Sequence, residues 1–162
     1  MNKDVYTLMY KDKIVGELCY DYVYQKFSFT FNKDYNDLPP YPLVRWGESM
    51  KDKLVSEQAI MDWLEDRVIM KCRPEVKEIL EWLKLYEYDV WDIARRNSGM
   101  SVDDFFWLTK DTTLDYKTFN TRYCRKNGIE PSLLPPFPIM KYPTYFERLE
   151  IMKGKEWKEE YI

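Results

Sequence analysis

The residues able to do chemistry in this chain are carboxylates, cations, tyrosines and thiols; histidine is absent. That removes imidazole acid–base catalysis, Ser–His and Cys–His nucleophile pairs and His-ligated zinc. Cys19, Cys72 and Cys124 stand far apart with no CxxC. Neither a thiolate metal cluster nor a dithiol redox pair is therefore expected, and scattered thiols suit a reducing compartment. Asp103 and Asp104 are adjacent carboxylates. Neighbouring helical positions diverge by ~100°, so these two do not converge as an acid–base pair. Cations fall into groups: Arg67, then Lys71 with Arg73, then Arg95 with Arg96, then Arg122, Arg125 and Lys126. Brought together they would hold phosphate or a partner's carboxylates, because a guanidinium is a preformed bidentate donor. Left apart they are solvated charge near helix ends. The five glycines form no phosphate-cradling loop of standard spacing, and no cofactor or metal is expected.

The elements that must carry these residues change character along the chain. VYTLMY (5–10), IVGELCY (14–20) and QKFSFTF (25–31) alternate with period two, which predicts strands. Phe27, Phe29 and Phe31 share one face, to be covered by something later in the chain. Short polar connections favour sequential antiparallel pairing, hence a three-stranded meander. Residues 32–56 hold turn formers and Pro39, Pro40 and Pro42, and read as irregular. From Ser56, a candidate N-cap, Ile60, Trp63, Leu64 and Arg67 recur at helical spacing. A second helix is expected across 74–85 behind Pro74. A third is capped by Asp89 and stopped near Asn97, Ser98 and Gly99. Ser101 to Asp104 reads as a capping box opening a fourth helix through Phe105, Phe106, Trp107 and Leu108, with Asp104 at the N3 position. Asp115 caps a fifth, and Thr144 to Glu147 opens a last one. Five prolines across 131–143 make that stretch a loop or extended arm.

The expected fold is therefore α+β: an N-terminal three-stranded antiparallel meander followed by about five to six short helices. The expected division is a domain over 1–130, with a Pro-rich arm and C-terminal amphipathic helix over 131–162 packed on it. No secretory leader and no run of ~18 apolar residues is seen, so a cytoplasmic protein is expected. The helices of 74–110 have the order of a helix-turn-helix. Carboxylates at the start of its second helix would repel a phosphate backbone, which argues against direct DNA reading there. Six Trp and fourteen Tyr, at a net charge of −3, exceed what a small core needs. Tyr and Trp are enriched at interface anchors, so at least one partner surface is expected.

Trp63, Leu64, Arg67, Ile69 and Arg73, then Ile79 and Leu80, then Tyr88 and Asp89, then Gly99, Ser101, Asp104, Phe106, Trp107 and Leu108 form a spaced pattern. This pattern, with the strands at 10–21 and 27–31, resembles the N-terminal region of HipA-like proteins of Gram-positive bacteria and mobile elements, over roughly residues 5–125. Met70 stands where that family has Pro. In full-length relatives the region precedes a Ser/Thr-kinase-like body, and this chain carries no kinase motif. The resemblance implies a free-standing subdomain, not an enzyme, that binds and restrains a HipA-type kinase body or another same-operon protein in a toxin–antitoxin-like system. Arg67, Lys71, Arg73, Arg95, Arg96, Asp104 and Trp107 are the expected partner-binding residues, with Trp107 in the core and Asp104 as a cap as their structural alternatives. Two other readings stand beside it. One is a nucleic-acid-binding regulator using the basic groups. The other is a phage or mobile-element inhibitor of a host defence enzyme.

Overall fold

A computed structural model describes residues 2–101 and 104–116. The chain opens with β1 (Lys3–Tyr10), β2 (Lys13–Asp21) and β3 (Lys26–Phe31), each antiparallel to the one before. Period-two alternation places Tyr6, Leu8, Leu18, Phe29 and their in-register neighbours on one face. Leu8 pairs with Gly16, Tyr6 with Leu18, and Leu18 with Phe29. Gly16 is required there: a Cβ would lie 2.4 Å from the Thr30 carbonyl oxygen and 2.6 Å from the Phe29 ring. The register slips between Leu8 and Met9, leaving Val15 as the extra, fully buried residue of a bulge.

The helices α1 (Glu57–Glu65), α2 (Val76–Trp82) and α3 (Val90–Arg96) follow. Ser56 caps α1, its hydroxyl accepting from the Ala59 N–H, and Asp89 caps α3 by accepting from Asp92 N–H. Helix α1 buries Ile60, Trp63 and Leu64 and lies against β3, covering the Phe face. Helix α2 starts at Val76, so Pro74 precedes its cap instead of occupying its first turn. Helix α3 ends in a Schellman turn: Gly99 N–H donates to the Ala94 carbonyl at 2.7 Å and Ser98 N–H to that of Arg95 at 3.3 Å.

The expected architecture needs correction at its fourth helix. Phe106–Thr109 is a strand, β4, and it pairs antiparallel with β1, Leu108 opposite Leu8 and Trp107 opposite Met9. The sheet thus has four strands in the order β3-β2-β1-β4, and among the described residues there are three helices, not five or six. Every residue of β4 is buried. A strand covered on both faces loses its alternation and reads as a plain apolar run, which a preceding Ser and Asp dressed as a helix start. Asp104 accordingly caps no helix. The expected helices at 115 and 144, the arm at 131–143 and the 1–130 boundary lie outside the described residues.

Candidate functional site

Four positions of the sequence pattern, Trp63, Gly99, Asp104 and Phe106, meet at Arg67, which is 2% exposed. It leaves the end of α1 and runs toward the loop before β4. Its Nη1 and Nη2 donate to the two Asp104 oxygens, each at 2.7 Å, in a bidentate pair. Nη2 also donates to the Phe106 carbonyl at 2.7 Å, and Nε to that of Gly99. The guanidinium carbon sits 4.3 Å from the centre of the Trp63 ring, one helical turn back. Asp104 in turn accepts from Phe106 N–H at 2.9 Å. Gly99 has φ +59°, and a Cβ there would meet Leu108 at 2.8 Å. Trp107 is buried and its indole N–H donates to the Lys11 carbonyl at 2.8 Å. Trp63, Arg67, Gly99, Asp104, Phe106 and Trp107 therefore form a clamp that seats β4 against β1. Four of its five donors are thus used within the chain.

The remaining predicted site residues do not gather around it. Lys71 is exposed, its Nζ 5.9 Å from the Tyr88 ring centre. Arg73 bridges to Glu75 at 3.3 Å. Arg95 bonds Asp92 at 2.5 Å and reaches Asp4 at 3.4 Å, and Arg96 is half-buried at the end of α3. Arg73 and Arg95 are thus paired with carboxylates of their own surroundings; the group at 122–126 lies outside the described residues. Among the described residues no cluster of three or more Cys, Asp or Glu has the arrangement of a metal site.

A different set of residues makes a concave surface, and no motif announced it. Strands β2 and β3 are joined by Tyr22, Val23, Tyr24 and Gln25, all exposed. Asp21 holds this turn: one carboxylate oxygen accepts from Val23 N–H at 2.9 Å and Tyr24 N–H at 3.2 Å. Beside the turn lies a groove of about 510 Å³, walled by Tyr20, Tyr22 and Phe27 from the hairpin and Trp91 from α3. Tyr20 meets Tyr22 edge-on at 4.8 Å between ring centres and Phe27 at 4.6 Å; Phe27 meets Trp91 edge-on at 5.3 Å. The carboxylates Glu57, Asp89 and Asp92 line it with Gln25, Met61, Tyr88 and Val90, and among the described residues no basic side chain lines it.

Asp4 anchors the groove to the sheet. Its carboxylate accepts from the Tyr22 hydroxyl at 2.6 Å and from Lys110 at 3.0 Å, with Arg95 at 3.4 Å. The Tyr22 hydrogen bond, then the two cations, holds the Asp4 carboxyl below its ordinary range against the opposing effect of burial. Burial first, and the Asp4 charge second, pushes the Tyr22 phenol up. Both groups therefore keep their neutral-pH forms, a charged acceptor facing a protonated donor. The arrangement ties β1, the hairpin, α3 and the end of β4 together; it lacks a poised base.

Two further aromatic features stand clear of the core. Trp46 is 89% exposed and its ring lies 6.3 Å from that of Tyr41. Leu54 and Tyr86 are also fully open to solvent. A second concavity of about 400 Å³ between β3 and the 50–53 turn carries Lys33, Lys51 and Lys53, the last bound to Glu48 at 2.6 Å. Comparison of the chain with protein-family models, with curated proteins and with solved structures finds no match.

Proposed function

We propose that this chain is a non-enzymatic protein-binding module whose recognition surface includes the β2–β3 hairpin tip. The observation that carries the reading is Tyr22, Val23 and Tyr24 standing exposed in succession on a turn held by Asp21 beside an open aromatic groove. Single exposed apolar residues are ordinary. Tyr22 is tied to Asp4, but Val23 and Tyr24 beside it are 60% and 73% exposed, and a pre-ordered turn loses little entropy on binding. Trp46, 89% exposed, supports the same reading, since Trp is enriched at interface anchors. The first partner to try is the body of a HipA-type kinase, which rests on the spaced pattern from Trp63 to Leu108 alone. The mode would be occlusion or restraint. A cytoplasmic setting fits the free, exposed Cys72, and no helix among the described residues is long and apolar enough to cross a membrane.

The test is affinity capture from the native host, and from a purified kinase body, with wild-type chain and with Tyr24→Ser and Trp46→Ser. Both side chains are solvent-exposed, so melting temperatures should stay within the ~0.5 kcal/mol scatter of surface changes. Capture of one reproducible partner should fall by more than about tenfold in at least one variant, as an anchor worth ~2 kcal/mol requires. Equal capture by wild type and both variants, or no reproducible partner, would remove the reading.

A further inference from the structure

We propose that the groove between the β2–β3 hairpin and α3 receives an arginine side chain from a basic segment of the partner. This rests on the protein-binding reading and names the chemistry of what is bound.

Charge decides the occupant. Among the described residues the lining contributes the charges of Glu57, Asp89 and Asp92 and no cation. Arg95 engages Asp92 from outside the lining at 2.5 Å, so Glu57 and Asp89 are the carboxylates left to answer a ligand. The start of a helix ordinarily favours anions, yet that position is filled here: Asp89 accepts the α3 N–H of Asp92 at 2.9 Å. Glu57 accepts the Phe27 N–H at 3.2 Å through Oε1. Each carboxylate is thus held in place by one backbone donor and retains acceptor capacity. A bound anion would face two fixed negative charges; a bound cation would be paired by them.

Shape and aromatic chemistry favour the guanidinium among cations. Tyr20, Tyr22, Phe27 and Trp91 meet at 4.6 to 5.9 Å between centres, a continuous aromatic wall. A planar guanidinium stacks on such a wall while its edge reaches carboxylates on the rim, and it is less costly to desolvate than an ammonium. The same pairing already occurs within this chain, where Arg67 lies over Trp63 and is forked by Asp104. The groove repeats that chemistry, ring and carboxylate, and among the described residues no guanidinium lines it. A volume of about 510 Å³ exceeds one side chain, and the excess accommodates the backbone of an extended segment.

The test uses the full chain and a fluorescein-labelled nonapeptide bearing two adjacent arginines in a glycine–serine background. A matched peptide with glutamates in their place is the control. Anisotropy titrations are run at ~50 and ~300 mM salt, since screening weakens exposed ion pairs. Glu57→Gln combined with Asp89→Asn removes the charges yet preserves both backbone acceptors, so the fold is kept; melting temperature checks this. The expected result is saturable binding of the arginine peptide alone, weaker at higher salt, and reduced about fivefold or more in the double variant. Absent binding, equal binding of the glutamate peptide, or an unchanged affinity in the double variant overturns the inference. The same double variant in the capture experiment separates the two claims. If it still captures a partner that Tyr24→Ser or Trp46→Ser loses, the protein-binding reading stands and the arginine groove falls.

Discussion

Arg67 shows how one side chain can look functional in sequence and be structural in three dimensions. Its spacing from Trp63 was visible as helical periodicity, but its partners lie 32 to 39 residues downstream and no local rule reaches them. Removing one member of a buried pair leaves an uncompensated charge, so Arg67→Ala should cost ~3–5 kcal/mol. Arg67→Lys should also lose a substantial part of this, because an ammonium cannot fork Asp104 and reach Phe106 together. Urea unfolding midpoints measure both; a lysine variant as stable as wild type would show the fork to be dispensable. Asp4 gives a pH signature. Its folded carboxyl titrates below the ordinary 3.8. The stability it adds is therefore present above about that pH and is lost as pH falls through the folded value. Its side chain is only 18% exposed, so Asp4→Asn should cost about 1–2 kcal/mol near neutrality. The gap from wild type should close in melts as pH is lowered from about 3.8 through the folded value. A gap constant with pH would mean that shape alone, not charge, matters at this site.

At the scale of elements, strands β1 to β3 and helices α1 and α3 were legible because their signals are local. Alternation in KFSFTF, the Ser56 and Asp89 caps and the Asn97 to Gly99 stop each act within a few residues. Strand β4 was not, because burial on both faces erased its period and the Ser101 to Asp104 sequence imitates a helix cap. The hairpin tip was missed for the opposite reason: its turn contains no Gly, Pro or Asn, and Asp21 supplies the geometry from the strand end. Aromatic residues placed at a turn were the available signal. Gly99 belongs to this scale, since it both closes α3 and lets Leu108 approach. Gly99→Ala sets a Cβ against that side chain at 2.8 Å and in a left-handed backbone, at a cost of ~2–3 kcal/mol. If β4 depends on this seat, the variant should show lowered thermal stability together with greater Trp107 exposure to acrylamide quenching. An unperturbed quenching constant would place the damage in α3 alone.

For the whole molecule, net charge of −3 and absence of histidine narrowed the chemistry, but charge distribution mattered more than its sum. The cations at 71–73 and 95–96 were separate groups in sequence whose convergence was left open, and in the structure Glu75 lies beside Arg73 and Asp92 beside Arg95. The acidic groove draws Glu57 from one helix and Asp89 from another, so its sign becomes visible only when the hairpin brings its aromatic wall between them. One consequence of the Arg67 clamp reaches beyond stability. A single guanidinium joins the end of α1 to the turn after α3 and the entry to β4, which lie 32 to 39 residues further along the chain. Dissociating any one strands a charge in apolar surroundings, so intermediate states with one segment peeled away are penalised. The three segments are therefore expected to come apart together, leaving this part of the molecule few half-open forms for proteases and chaperones to meet.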